Sequence, residues 1–294
     1  MSPGKSYDVA IIGAGIAGAS LAAEVSKEAS VLLIEMESQP GYHTTGRSAA
    51  AFVDTYGPAP IRALTRASAA FYHNPPLGFT DHRLLSPRGV LMIARQDQMA
   101  TLHQMQEDLS DTTDMQILTA SEIESRMPLL RKGYAAGGFA NSRVSDIDVH
   151  ALHQGYLRML RGNGGTILLN APATALEHHQ GQWHVTANNE NFTASRIVNA
   201  AGAWADEIGA MAGASTIGLI PKRRTAMMIA APAGLNPDKW PMIIDIDEEF
   251  YLKPDAGRLL ISPADETPAP PGDAQPDAWH CQIGCRVGHM YRQD

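Results

Sequence analysis

The sequence predicts an α/β fold, in which a Rossmann-like nucleotide-binding domain is interleaved with a second domain built on an antiparallel sheet. Three observations carry this expectation. A strand, a glycine-rich loop, a helix and a second strand succeed one another within residues 9–35, the span of a βαβ unit. Elements of the same kind recur over residues 145–215. The segments between and after these blocks have another character, so the chain crosses between the domains more than once.

The elements follow in order. Residues 9–12 (VAII) are a short β-branched run and read as a buried strand. Residues 13–18 form the glycine loop, 17–27 an alanine-rich helix, and 31–35 (VLLIE) a second buried strand. Pro40-Gly41 opens a loop of small and polar residues over 39–51. Residues 59–73 read as a helix that Asn74-Pro75-Pro76 stops. Residues 91–94 read as a strand and 96–109 as an amphipathic helix. Ser121 with Glu124 matches a capping box for a short helix ending near Pro128. Asp148 is placed to cap a helix over 150–161, closed by Asn163-Gly164-Gly165. Strands are expected over 166–169, 174–178, 183–187 and 196–200, then over 225–231, 242–246, 249–253 and 258–262. Residues 263–278, rich in Pro, Asp and Ala, read as a surface loop.

Composition limits the function classes. Apolar residues make up 44% of the 294, a globular rather than a disordered composition. A net charge of −8 argues against nucleic acid and anionic membrane surfaces as partners. No apolar run approaches the roughly 20 residues of a membrane helix, and the N-terminus does not read as a signal peptide. A cytoplasmic location is the default expectation. Two cysteines, Cys281 and Cys285, exclude a disulfide framework.

The glycine loop reads Gly13-Ala14-Gly15-Ile16-Ala17-Gly18, a complete G-x-G-x-x-G. The first glycine allows the tight turn. The second lets the backbone approach a pyrophosphate, and the third lets helix and strand pack closely. The helix N-terminus offers free N–H groups and a positive dipole end to the phosphates. Glu35, at the end of the second strand, is placed to accept hydrogen bonds from ribose hydroxyls, which argues against a 2′-phosphate. The fingerprint alone does not separate FAD from NAD.

Together with this loop, residues 41–50 (GYHTTGRSAA) resemble the FAD-dependent D-amino acid oxidase superfamily. Residues 148–160 (DVHALHQGYLRML), 198–204 (VNAAGAW), 221–224 (PKRR) and 250–257 (FYLKPDAG) look like bacterial D-arginine dehydrogenases, over about residues 7–278. The resemblance implies a glutathione-reductase-type FAD-binding domain over 1–55 and 145–215, and an antiparallel-sheet substrate domain over 56–144 and 216–278. It implies FAD as cofactor. Gly13, Gly15, Gly18 and Glu35 would hold its ADP half. Thr44, Arg47, Ser48 and Ala49 would lie along the pyrophosphate and flavin, and Ala175 near the adenine. Ala201 and Gly202 would let the backbone pass close to the cofactor. From the residues alone, Arg47 is equally a solvated loop arginine, and residues 198–202 an ordinary core strand.

The implied chemistry is oxidative deamination of a small-molecule substrate. Hydride leaves the substrate Cα for flavin N5, and the imino acid hydrolyses to a 2-oxo acid and ammonia. Arg224 would clamp the substrate carboxylate, Tyr251 would hydrogen-bond it, and Tyr56 would lie on a loop over the site. The other readings are a solvated cationic run, sheet packing and a turn residue. Ala51 stands where the D-arginine enzymes have histidine, and Val90 where they have the glutamate that reads a cationic side chain. An unpaired guanidinium beside Val90 would be costly, so the expected substrate is an apolar or small D-amino acid or a related amine. The electron acceptor stays open.

The resemblance stops near Ala278, and residues 279–294 read as an unrelated tail replacing the C-terminal part of the family fold. His280, Cys281, Cys285 and His289 could form a small metal site, but the spacing fits structural zinc poorly and no metal is expected. A frameshift is the favoured reading, which makes a catalytically silent relic the second functional hypothesis. A nicotinamide-dependent dehydrogenase is the third.

Overall fold

A computed structural model describes residues 5–109 and 115–275. The tail residues His280, Cys281, Cys285 and His289 lie outside them. Strand β1 (Lys5–Ile12), helix α1 (Ile16–Val25) and β2 (Val31–Ile34) form the expected first unit. Then come β3 (Ala51–Phe52), α2 (Ala59–His73), β4 (Leu85–Pro87), β5 (Val90–Ala94) and α3 (Met99–Asp108). They are followed by β6 (Met115–Thr119), α4 (Ala120–Arg126), β7 (Gly137–Asn141), β8 (Ser145–Ile147) and α5 (Val149–Gly162). Strands β9 (Thr166–Leu168), β10 (Ala173–His179), β11 (Gln182–Ala187) and β12 (Glu190–Asn199) lead to α6 (Ala205–Met211). The remaining strands are β13 (Lys222–Arg223), β14 (Met227–Ala230), β15 (Met242–Asp245), β16 (Tyr251–Asp255), β17 (Arg258–Ser262) and β18 (Thr267–Pro268).

The first sheet has the order β10-β11-β12-β1-β2-β9. Its β12-β1-β2-β9 portion is parallel, and β10 and β11 extend it as an antiparallel meander. Both faces of β1 and β2 are covered, as a parallel sheet requires. Val9, Ile11 and Leu33 pack against α1 and α5 through Ala19, Ala22, Leu157 and Leu160. Ala10, Ile12, Leu32 and Ile34 pack on the other side with Leu176, Val185, Phe192 and α6 residues Ile208 and Met211. Asp148 caps α5 as expected, its Oδ1 accepting the Ala151 N–H at 2.8 Å.

The second sheet has the order β14-β17-β16-β15-β5-β7-β6. It is antiparallel except for one pair, β5 beside β15, which run parallel. The sequence alone does not show this, because the chain leaves the sheet after β7 and returns only with β14. A small sheet, β3-β8-β4, joins the segments on which the two large sheets are built.

Several elements differ from expectation. The capping box uses Thr119 and Glu122 rather than Ser121 and Glu124, and α4 starts correspondingly early. Thr119 wins because it stands at the end of β6 in the extended backbone an N-cap needs. Strands β4, β6, β7 and β8 were not anticipated. In β7 the reason is Gly137-Gly138, which reads as a turn. A β-carbon on Gly138 would lie 2.2 Å from the Met92 carbonyl oxygen, so glycine is required there by close strand approach.

Replacing Asp148 with Ala is expected to cost about 1 kcal/mol and lower the thermal midpoint by roughly 2–4 °C, with the far-ultraviolet circular dichroism preserved. An unchanged midpoint would show that the cap does not carry α5.

Candidate functional site

The three glycines of the loop do different work. Gly13 has φ +101°, and a β-carbon on it would lie 2.4 Å from the Ala200 carbonyl oxygen. On Gly18 it would lie 1.9 Å from the Gly13 carbonyl oxygen. Both approaches are between backbones, so neither position can yield. Gly15 differs: a β-carbon there would meet only the Thr45 hydroxyl, at 3.3 Å. Packing thus demands Gly13 and Gly18, whereas Gly15 keeps open the space in front of α1. That helix has no side-chain cap from its own N-cap residue and no acidic residue in its first turn.

A cleft of about 290 Å³ opens at this point. Gly13, Gly15, Glu35 and Met36 line one side, and Thr44 and Thr45 another. Ala200, Ala201, Gly202 and Trp204 close it from the end of β12, with Ile208 and Met211 of α6. Glu35 is only 7% exposed. Its Oε2 accepts the Ala14 N–H at 2.8 Å and its Oε1 accepts the Glu37 N–H at 3.0 Å. Each oxygen keeps lone pairs for further donors, and the two backbone bonds fix the carboxylate's aim. The Thr45 hydroxyl accepts the Ile16 N–H at 3.0 Å and ties the 41–47 loop to the start of α1. His43 sits between Glu37, 2.9 Å away, and the Trp204 ring, whose centroid is 4.7 Å from its own. Small residues, backbone amides at a helix start and an oriented carboxylate fit the pyrophosphate and ribose of a dinucleotide.

The cleft therefore gathers Gly13, Gly15, Glu35, Thr44, Ala201 and Gly202, with Gly18 directly behind. Other expected cofactor contacts lie elsewhere. Ala173, not Ala175, lines the cleft, and a register shift in β10 separates the two. Arg47 pairs with Asp273 at 2.5 Å, donates to the Ala274 carbonyl and covers the Tyr42 ring, outside the cleft lining. Ser48 accepts the Ala50 N–H at 3.0 Å. The Ala49 carbonyl accepts from Lys253 Nζ at 2.8 Å.

Lys253 was not anticipated, and it is 6% exposed. Its ammonium lies 3.1 Å from Asp146 Oδ1, and Asp146 Oδ2 accepts Arg88 Nε at 2.8 Å. The triad holds the 48–51 loop, where Ala50 has the left-handed φ of +49°. A lone lysine in the strand FYLKPDAG was the only signal for it in the sequence.

The expected substrate residues fall into two groups. Ala51, Val90 and Tyr251 share one apolar cluster with Met92, Met242 and Ile244. Val90 is 2% exposed, so it is part of that packed layer. Tyr56 and Arg224 form the second group. The Tyr56 hydroxyl donates to Glu248 Oε2 at 3.1 Å. Partial burial and the Glu248 charge raise its pKa, and nearby Arg224 opposes them. Arg224 itself donates to Glu266 Oε1 at 2.9 Å.

The family model for FAD dependent oxidoreductases (DAO) matches residues 8–287. Human mitochondrial dimethylglycine dehydrogenase is 29% identical over 154 residues, 51% of this chain and 18% of that protein. The chain thus spans less than a fifth of that relative's length. Among solved structures, glycine oxidase from Geobacillus kaustophilus superposes with a TM-score of 0.81 at 21% identity, covering 98% of this chain and 78% of that one. The FAD-bound L-alpha-glycerophosphate oxidase from Mycoplasma pneumoniae gives 0.83 at 18% identity, covering 98% and 79%. Both show the same fold.

The division of labour among the glycines can be tested. Gly15→Ala is expected to leave the thermal midpoint within roughly 2 °C of the parent yet weaken FAD binding by about tenfold. Gly18→Ala is expected to lower both. Flavin-fluorescence titration and a melting curve of each variant check this, and tight FAD binding by Gly18→Ala would overturn the steric reading.

Proposed function

The chain belongs to the FAD dependent oxidoreductase family, and from that premise we propose that it oxidises a small or apolar D-amino acid, or a related amine bearing a carboxylate. FAD is its cofactor. When bound, FAD accepts two electrons as hydride from the substrate's α-carbon. The imino acid so formed hydrolyses to a 2-oxo acid and ammonia.

Arg224 carries this reading. Its guanidinium lies near Tyr56 and donates to Glu266, which is exposed. An ion pair of that kind is worth only about 0–1 kcal/mol, so a substrate carboxylate can displace Glu266 and take the bidentate fork. Tyr251 supplies a hydroxyl to the same carboxylate, and Tyr56 covers the site. The apolar packing of Ala51 and Val90 beside Tyr251 supports an uncharged substrate side chain, since no carboxylate stands at either position to receive a cation. Two of the similar proteins are named for glycine and dimethylglycine, both small amines with a carboxylate. The D configuration rests on the resemblance of residues 148–160 and 250–257 to the D-arginine dehydrogenases. The amine reacts as the neutral base, so no dedicated protein base is needed.

Anaerobic mixing of the FAD-loaded protein with a panel of amines checks both parts. Small and apolar D-amino acids are expected to bleach the flavin, whereas D-Arg and D-Lys are not; faster bleaching by D-Arg would refute the substrate class. Arg224→Ala is expected to raise the substrate concentration for half-maximal reduction roughly 10- to 150-fold with FAD uptake unchanged. An unaltered value would remove Arg224 from the site.

A further inference from the structure

Behind the cleft wall lies a buried titratable side chain that neither the fold nor the proposed reaction has used. His153 lies on α5, across from the glycine loop, and is 4% exposed. Its Nε2 is 2.8 Å from the Ala14 carbonyl oxygen. A carbonyl only accepts, so Nε2 bears the proton, and the neutral ring is the Nε2–H tautomer. The Ala14 peptide is thereby held on both sides, its N–H by Glu35 and its C=O by His153. The ring also backs Gly41, where a β-carbon would lie 3.1 Å from Cε1 and 3.4 Å from both ring nitrogens. Gly41 has φ +78° and begins the loop that carries Thr44 and Thr45. One side chain thus joins α5, the glycine loop and the 41–47 loop.

We propose that His153 is a positioning residue for the cofactor: its Nε2–H holds the Ala14 peptide, and its ring the Gly41 turn, in the form that accepts the FAD pyrophosphate. This rests on the FAD assignment. Without the donor, the Ala14 carbonyl is left buried and unpaired, and the peptide turns to reach water. That turn also breaks the bond from Ala14 N–H to Glu35. FAD binding must then reverse it, so the loss appears in affinity.

The ring's surroundings make the effect pH-dependent. Burial disfavours the imidazolium and outweighs the bond to the Ala14 carbonyl, which favours it; His150 on the same helix adds to the burial effect and Glu35 acts the opposite way, so the ring's pKa is lowered. Gly13, Ala14, Gly15 and Gly41 contribute no ionisable side chain. The seated ring therefore binds a proton less readily than a released one. FAD affinity is full above the ordinary histidine pKa of about 6.5 and falls as the pH drops through and below it.

The test compares FAD affinity of the full chain, His153→Gln and His153→Leu by flavin-fluorescence titration at about pH 7.5 and about pH 5.5. At the higher pH, His153→Leu is expected to bind about tenfold more weakly than the parent, and His153→Gln, which keeps an N–H donor, within about threefold. At the lower pH only the parent is expected to lose further affinity. Parent-like binding by His153→Leu, or the same pH dependence in His153→Gln, overturns the proposal. If His153→Leu does not fold, the pH profile of His153→Gln decides alone. A parent that takes up no FAD overturns the cofactor assignment itself, an outcome distinct from the others.

Discussion

The approach of Gly18 to the Gly13 carbonyl, where a β-carbon would stand 1.9 Å from the oxygen, sets the position of α1 against the sheet. With α1 that close, its first turn faces the cleft rather than solvent. The same closeness brings the Gly13 backbone against Ala200, so the end of β12 becomes the opposite wall through Ala201 and Gly202. The cleft is thus a consequence of two backbone contacts that no side chain could survive. Gly15 stands apart from them, since a β-carbon there would meet no backbone, only the Thr45 hydroxyl at 3.3 Å. What it leaves open is room for a ligand.

A second constraint links this sheet to the rest of the molecule. The loop after Ser48 turns through Ala50, whose left-handed backbone costs energy for a residue with a β-carbon. The Ile147 N–H bonds the Ala50 carbonyl at 2.8 Å, and Lys253 bonds that of Ala49. Buried charges are costly unless paired, and here Asp146 stands between Lys253 and Arg88. Breaking one member would strand another. The outcome is that Ala51 is delivered to the sheet face carrying Val90 and Tyr251. The cofactor cleft and the layer assigned to substrate are coupled through this short loop.

The βαβ unit, the cap at Asp148 and the helix over 59–73 were legible because each depends on partners only a few residues away. So were the tight turn at Gly13, the close packing at Gly18 and the place of Gly15 and Glu35 at the cleft. Thr44, Ala201 and Gly202 became candidates through the resemblance, and they do line the cleft. Strand β7 was hidden by Gly137-Gly138, because the need for glycine arises from Met92 on a distant strand. Thr45, Lys253 and His153 were overlooked for the same reason. Each acts on a backbone group far away in sequence: Ile16, Ala49 and Ala14 respectively. Arg47 shows the converse. The resemblance implies a cofactor contact for it, and its partner in the structure, Asp273, lies 226 residues away.

The sequence by itself determined that this chain builds a dinucleotide-binding unit, since glycine spacing and the acid after the second strand are local demands of backbone geometry, while the FAD dependent oxidoreductase family entered through the resemblance of residues 41–50 and the later segments. Tertiary structure decided which side chains reach the cleft, which carboxylate takes each cation, and that the Ala14 peptide is held from both sides. These are pairings between segments remote in the chain, and only the packing of both faces of the parallel sheet brings them within hydrogen-bonding distance.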